Sequence, residues 1–547
     1  MSQIQQGSYN CISNSSQNVV AWERELRALS SLLVAARGQR NSCSMTCILP
    51  AEILSRVFAC LKAEAPLLHS EDLGTRIGWL SVTQVCRHWR AVAKANASLW
   101  TDINVLSIPL WDLFTESSSN LPLSVFSCIG EKADRIPNYR KLIRGALPRV
   151  KELNAHAHRT GVPGSPGRRH LKSLLQALNS PSEPLRLLQK LELESDTYKT
   201  AGLTADFFNT HAIELRHVVL RQIAYPLGGI SPRLQSLTLV KTNCSNAFLF
   251  FDTLRQLPCL EKLFLIQTLG IRSSAQSLSA VEMPHLRDLR IENEISQSVS
   301  IWRSLRVHPQ AYVMVDASVA TSCTDSHLHA LAEATAAHLE DPGRPTFVYL
   351  DLSAYDYQPL CDFVMSTHIE DVSSNEEFTA QSSIHTYPCP CLKVVLPIFC
   401  DVPCHHIPNI YRKLFSNLLR KDWTAVQLSG HMHWQDELLI SVFADARLVT
   451  DLSLREVPQD TVLELCYALG QNARGDKPVL FPALSALRFE AVNLGYVSQF
   501  PMAVLRRRPI SRSRLRFAQA FLTNPSVVYK SSVALWTTKI SQLGGSM

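Results

Sequence analysis

Along most of the chain, apolar residues recur in a short phrase. One apolar position is followed by two of any kind, then a second apolar position, one outward residue and a third. The clear copies are Leu188/Leu191/Leu193, Leu215/Val218/Leu220, Leu234/Leu237/Leu239, Leu260/Leu263/Leu265 and Leu286/Leu289/Ile291. Val150/Leu153/Ala155 gives an earlier one. Weaker copies stand at Phe347/Leu350/Leu352, Trp423/Val426/Leu428, Val449/Leu452/Leu454 and Leu484/Leu487/Phe489. The last two apolar residues of each phrase alternate with one outward residue, so they point one way from a short strand. One such strand cannot bury its face, but stacked neighbours share a core.

The clear copies begin at residues 188, 215, 234, 260 and 286, at intervals of 27, 19, 26 and 26. Most of these intervals suit a leucine-rich repeat, whose period is ~20–29 residues. Helix-like stretches lie between the strands. In "NAFLFFDTLRQLP", Phe248, Phe251, Leu254 and Leu257 share a helical face, and Pro258 ends it. The array is irregular. The Asn or Cys that often follows the strand in regular repeats is not at its expected offset, so no asparagine ladder is expected. Residues 157–169 and 371–391 read as loops inserted in the array.

The pattern differs at the N-terminus. Residues 1–18, rich in Ser, Gln and Asn, read as unstructured. Val19, Trp22, Leu26, Leu29 and Leu33 fall near helical spacing and predict one short amphipathic helix over 19–36. Packing on the following domain is the expected use of its face, with pairing to a partner as the alternative. Residues 37–46 read as a polar linker.

Residues 48–103 form a dense helical unit. Pro50 suits a first helical turn, where its missing N–H is not needed, and Glu52 sits at the positive end of the helix dipole. Ile53, Leu54, Val57, Phe58 and Leu61 then form a wide apolar face. After a polar insertion, Lys62 to Arg76, a second helix is expected. Trp79, Val82, Val85, Cys86, Trp89, Val92 and Ala93 lie on one side of it, and Arg87, His88, Arg90 and Lys94 on the other. Two or three helices in about 55 residues make a small core, marginal without docking on something else.

Three elements of this unit resemble the F-box. They are the opening Leu49-Pro50-Ala51-Glu52-Ile53-Leu54, the core Val85-Cys86-Arg87-His88-Trp89-Arg90 and the close Leu99-Trp100. Each is weak alone; all three in order form a specific signal. The long insertion before Trp79 and the Trp79-x-x-Val82-Thr83-x-Val85-Cys86 form are similar to F-box-like proteins common in mushroom-forming fungi, and the following region resembles theirs more loosely. The resemblance implies docking onto the Skp-type adaptor of a cullin-RING ubiquitin ligase, with the C-terminal region holding the protein to be ubiquitinated. By match to the motif it assigns adaptor contact to Leu49, Pro50, Glu52, Ile53, Leu54, Val57, Val85, Cys86 and Trp89. For Trp89 and Val92, a place in the domain's own core competes with that assignment.

Composition narrows the classes. The 547 residues exceed one ordinary domain. At 46% hydrophobic and 18% charged the chain reads as folded. A net charge of +7 over this length is only mildly basic and does not by itself imply nucleic acid. The 15 cysteines, scattered and odd in number, read as free thiols in a reducing compartment. No basic stretch followed by an apolar core opens the chain, so a signal peptide is not expected. No run approaches the ~18 apolar residues of a membrane span. A cytoplasmic or nuclear location is expected.

Two clusters invite other chemistry. His385, Cys389, Cys391, Cys400, Cys404, His405 and His406 suggest zinc, but the spacing is not a standard ligand pairing. The intervening "LKVVLP" reads as a repeat strand whose alternating sides separate the ligands, so no metal is expected. Arg506, Arg507, Arg508, Arg512, Arg514 and Arg516 could bind phosphate, yet no aromatic residues interleave with them, and a solvated helix end and loop is the expected reading. Glu192 and Glu194 alternate on a predicted strand and face outward rather than forming an acid/base pair. No nucleotide-binding glycine pattern, His-Glu-x-x-His or Gly-x-Ser-x-Gly is present.

The expected fold is α/β, a short helical F-box followed by an irregular leucine-rich-repeat-like solenoid. The expected divisions are 1–47 (tail, helix and linker), 48–104 (F-box-like) and 105–543 (target-binding region). The expected function is a non-enzymatic substrate-recognition adaptor without catalytic residues, cofactor or metal. The alternative is a repeat scaffold not assembled into a ligase, with an enzyme or metal protein built around 385–406 a distant third.

Overall fold

The structure, a computed structural model, describes residues 2–44, 48–66, 68–70, 74–104, 108–129, 144–157, 166–195, 202–244, 246–268, 280–308, 310–318, 325–339, 349–357, 360–368, 392–399, 423–430, 436–443, 446–470, 480–484, 486–490 and 492. The chain forms two compact units, residues 1–201 with 206–215, and residues 202–205 with 216–547.

The first unit opens on helix α1, Ser2–Ser42, 41 residues long. The helix expected over 19–36 thus extends both ways, through the stretch read as unstructured and into the polar linker. Residues 18–40 are exposed throughout, so the apolar stripe is not packed on the following domain. Next come α2 (Ala51–Glu64), a small antiparallel pair β1 (Leu68–Ser70) and β2 (Gly74–Arg76), α3 (Val82–Val85) and α4 (Arg87–Ala95).

A parallel sheet follows in the same unit, with strands β3 (Asp102–Asn104), β4 (Leu123–Ile129), β5 (Val150–Ala157) and β6 (Lys190–Glu194). Parallel neighbours need a crossover. Here α5 (Ile108–Ser117) lies between β3 and β4, and α6 (Pro166–Asn179) between β5 and β6. Leu171, Leu174, Leu175 and Leu178 bury one face of α6 at helical spacing. The loop expected over 157–169 is therefore shorter, because Pro166 to Arg169 form the first turn of α6. Arg149 ties α5 to the start of β5, its Nη2 donating to Ser118 Oγ (2.8 Å) and Leu121 O (3.0 Å).

The second unit carries β7 (His217–Arg221), β8 (Ser236–Val240), α7 (Ala247–Arg255), β9 (Lys262–Ile266), β10 (Val281–Met283), β11 (Asp288–Glu294), α8 (Ile295–Arg303), β12 (Leu305–Val307), β13 (Tyr312–Ser318) and α9 (Asp325–Leu339). Then follow β14 (Tyr349–Tyr357), β15 (Leu360–His368), β16 (Leu392–Phe399), β17 (Ala425–Gly430), α10 (Asp436–Phe443), β18 (Asp451–Arg455), α11 (Gln459–Gly470) and β19 (Ala486–Glu490). The architecture is a helical N-terminal region followed by mixed α/β structure with a large parallel sheet.

In the second unit's main sheet the strand order is β7, β8, β9, β11, β13, β16, β15, β14, β17, β18, β19. The repeated phrase sets its register. Val218, Leu237, Leu263 and Leu289 stand opposite one another on successive parallel strands, as do Leu220, Leu239, Leu265 and Ile291. All eight are buried. Past β13 the chain order is reversed. Strands β14, β15 and β16 pair antiparallel, while β16 lies parallel to β13 and β14 parallel to β17. The phrase at Leu350/Leu352 therefore belongs to a strand placed out of chain order. Phe347 lies outside the described residues.

Two details recur. The backbone N–H of the leading apolar residue closes a tight turn in each of the five clear phrases: Leu188 donates to Leu185 O, Leu215 to Ala212 O, Leu234 to Ser231 O, Leu260 to Leu257 O and Leu286 to Met283 O. Strands β7, β8, β9 and β18 are each followed directly by a residue of positive φ, Gln222 (58°), Lys241 (51°), Gln267 (49°) and Glu456 (54°).

In α7, Asn246 caps the helix by accepting from Leu249 N–H at 3.0 Å. The buried face is Phe250, Phe251 and Leu254, and Phe248 is exposed. The face expected from sequence is thus rotated, since the packed Phe250–Phe251 pair takes the inward position, its rings 5.5 Å apart. Burial also sorts the thiols. It pushes Cys244 up to about 11 and Cys466 up to about 12, whereas Cys43, Cys60 and Cys259 are exposed. At pH 8 the buried pair is then almost wholly thiol, and the thiol is not the nucleophile. Alkylation of the native protein is expected to mark Cys43, Cys60 and Cys259 at least ~100-fold faster than Cys244 and Cys466. Peptide mass spectrometry reads the difference, and equal rates would contradict the packing.

Candidate protein-docking site

The unit at residues 48–104 is built around α2, α3 and α4. Pro50 precedes α2 with φ −54° and ψ 149°, and its carbonyl accepts from Ile53 N–H and Leu54 N–H, both at 3.1 Å. The helix then divides its apolar residues between two directions. Leu54 and Phe58, four apart, are fully buried. Ile53 and Val57, also four apart, are 43% and 39% exposed. Positions four apart share one helical face, so these are two neighbouring faces, one inside and one outside.

The helix expected to run on from Trp79 is broken at Cys86. That residue is extended (φ −156°, ψ 173°), and its Sγ caps α4 by accepting from Trp89 N–H at 3.4 Å. The break puts the two segments out of phase. Val82, Val92 and Ala93 point inward as expected, but Val85 is 52% exposed, and Cys86 and Trp89 are half-buried. Arg90 holds the segments together, its Nε donating to Thr83 O at 2.7 Å. Arg87, His88, Arg90 and Lys94 are exposed, as expected.

Two aromatic contacts set the core. The Phe58 and Trp89 rings lie 5.3 Å apart and join α2 to α4. Trp79, Trp100 and Phe114 form an edge-to-face cluster with centroids 5.1, 5.2 and 6.1 Å apart. Trp100 Nε1 also donates to Ala93 O at 2.7 Å. At the end of α2, Lys62 Nζ meets Ser98 O (3.0 Å), Thr101 Oγ1 (3.2 Å) and Asp102 Oδ2 (3.0 Å).

Gly78 sets the approach of the chain to Trp79. Its φ is +48°, and a Cβ there would stand 2.5 Å from the carbonyl oxygens of both Ala65 and Pro66. Gly78→Ala is therefore expected to cost about 2–3 kcal/mol. Hydrogen exchange at the Trp79 amide, which donates to Ala65 O at 2.9 Å, is the readout. Unchanged protection would refute the steric reading.

Of the nine residues matched to the motif, Pro50, Glu52, Ile53, Val57 and Val85 are exposed, Leu49, Cys86 and Trp89 are half-buried, and Leu54 is buried. Leu54 faces the unit's own core and offers a partner no surface. Sequence reasoning missed Ile48 and Ile77, which are 64% and 43% exposed. For Ile48 the available signal was an isoleucine directly ahead of Leu49-Pro50. No comparable pattern marked Ile77.

Elsewhere, the outward residues of β5 and β6 pair with each other. His156 Nδ1 lies 2.8 Å from Glu194 Oε2, and Asn154 Nδ2 donates to Glu192 Oε2 at 3.1 Å. These glutamates face away from the buried side, as expected. The Cys/His cluster 385–406 and the arginine segment 506–516 lie outside the described residues, as does the expected loop 371–391. Among the described residues no group of three His, Cys, Asp or Glu could hold a metal ion, and no helix is long and apolar enough to cross a membrane.

No curated protein matches the chain significantly. Residues 46–105 match the family model described as F-box-like. The chain thus carries an F-box-like domain, and that domain contains α2, α3 and α4 with the exposed apolar residues beside them.

Proposed function

We propose that the chain is a substrate-recognition adaptor of a Skp-cullin-F-box ubiquitin ligase. An F-box-like domain suggests a ubiquitin-ligase adaptor role in general, and such adaptors are typically not enzymes. The observation that carries the finer reading is the divided α2 helix. A 60-residue helical unit leaves Ile48, Ile53, Val57, Ile77 and Val85 in water beside a Leu49-Pro50 opening. Several large apolar side chains exposed on so small a unit, two of them on one helical face, support a docking surface.

On this reading the Skp-type adaptor contacts Leu49, Pro50, Glu52, Ile53, Val57, Val85, Cys86 and Trp89, while Leu54 holds the helix to its core. The region from residue 105 is a leucine-rich-repeat-like array that holds the target. In-register apolar columns, the repeated turn before the strand and the repeated positive-φ residue after it support that description. The array contributes orientation and effective concentration at the ubiquitin-carrying enzyme rather than chemistry.

Co-purification with a Skp-type adaptor, compared with a chain lacking residues 48–104, tests the docking half. Affinity capture after proteasome inhibition, with the same pair of chains, tests target binding. A full chain that retains no adaptor would leave an interaction scaffold and overturn ligase assembly.

A further inference from the structure

We propose that α1 pairs with α1 of a second copy of this chain as a short antiparallel coiled coil. Val19, Trp22, Leu26, Leu29, Leu33 and Ala36 follow spacings of three and four residues without interruption, the a and d positions of a coiled-coil seam. The helix is continuous across all of them. Val19, Trp22, Leu26, Leu29 and Leu33 are each more than half exposed. Helices of this kind draw most of their stability from packing an apolar face, and this face stands in water.

The sizes along the seam select the direction. In a parallel pair like meets like, so two Trp22 indoles would crowd one layer and two Ala36 methyls would leave another underfilled. Both faults are costly in a packed seam. In the antiparallel register centred between Arg27 and Ala28, Val19 meets Ala36, Trp22 meets Leu33, and Leu26 meets Leu29 of the other copy. Each layer then sets a larger side chain against one of equal or smaller size.

Charge agrees. Glu23 and Arg37 occupy the same flanking position two heptads apart. Antiparallel pairing brings each Glu23 to the side of the seam where Arg37 of the other copy lies. The two are offset by five residues, about 7.5 Å along the axis. Side chains lean toward the N-terminus of their own helix, which closes that offset. The Glu23–Arg27 bridge within one helix (3.6 Å) is largely exposed to solvent and weak enough to be exchanged. Glu25 flanks the other side of the seam and meets Leu32 of the other copy rather than a like charge.

Sedimentation velocity of the full chain over roughly 1 to 100 µM is the test, because a seam of about two and a half heptads fits a micromolar dimer. The expected mass rises with concentration toward twice the 61.2 kDa of one chain. Leu26→Glu with Leu29→Glu is expected to hold the single-chain mass throughout. Glu23→Arg and Arg37→Glu are each expected to weaken the dimer severalfold, and the two together to restore it. That recovery does not depend on how the double glutamate variant folds. A single-chain mass at every concentration, a dimer untouched by the leucine changes, or no recovery in the paired reversal would each overturn the proposal. So would loss of the Skp-type adaptor from the leucine variant of a chain that stays monomeric, which would give the stripe to that partner instead.

Discussion

Ile53→Lys is expected to weaken retention of a Skp-type adaptor at least ~30-fold, the ratio set by about 2 kcal/mol. Ile53 projects from the outer face of α2, so its replacement empties no core. Lysine is also at least as good a helix former at an exposed position. Far-ultraviolet circular dichroism and hydrogen exchange of α2 should therefore be unchanged. The loss arises at the interface, where an ammonium group would have to be desolvated against apolar surface. Val57→Lys, one turn further along the same face, should act alike. Retention of the adaptor by a folded Ile53→Lys chain would show that this face is not the docking surface.

Trp100→Ala is expected to do the opposite, damaging the fold before any contact. Trp100 is 1% exposed, lies edge-on to both Trp79 and Phe114, and satisfies Ala93 O through its indole N–H. Truncation leaves a cavity and removes one of the two hydrogen bonds to Ala93 O, which keeps the one from Asn96 N–H, at a cost of about 3–5 kcal/mol. A unit this small has little stability to spare. Hydrogen exchange should quicken across α2 and α4 together, while β17, β18 and β19 in the second unit keep their protection. A change confined to residues next to position 100 would contradict the packing described. The pair of variants separates two uses of apolar residues that alternate within one helix, Ile53 and Val57 outward, Leu54 and Phe58 inward.

That alternation shows what the sequence could carry. The repeated apolar phrase placed β5, β6, β7, β8, β9, β11, β17, β18 and β19 because period-two alternation with one buried side is a local signal. It missed β13, whose Val313 and Val315 lie in an unphrased apolar run, and it had no access to strand order beyond β13. Reversal of β14, β15 and β16 depends on pairing between distant segments, which no local pattern records. The Leu-Pro opening and the Val-Cys-Arg-His-Trp-Arg segment located the F-box-like domain. Their division into core and surface was not legible. A face as wide as Ile53, Leu54, Val57 and Phe58 is compatible with burial of either half, and only the position of α4 decides. The break at Cys86 was hidden for a related reason, since a thiol acting as a helix cap leaves no signature in periodicity. At α1 the spacing was legible and the context was not, because nothing in the heptad says whether the seam is covered by its own chain.

Titration of the purified full chain with a Skp-type adaptor is the decisive measurement for docking through α2. A one-to-one complex with a Kd below about 1 µM is expected, weakened at least ~30-fold by Ile53→Lys and lost on removal of residues 48–104. Absence of measurable binding by a chain whose α2 and α4 amides remain protected would contradict it.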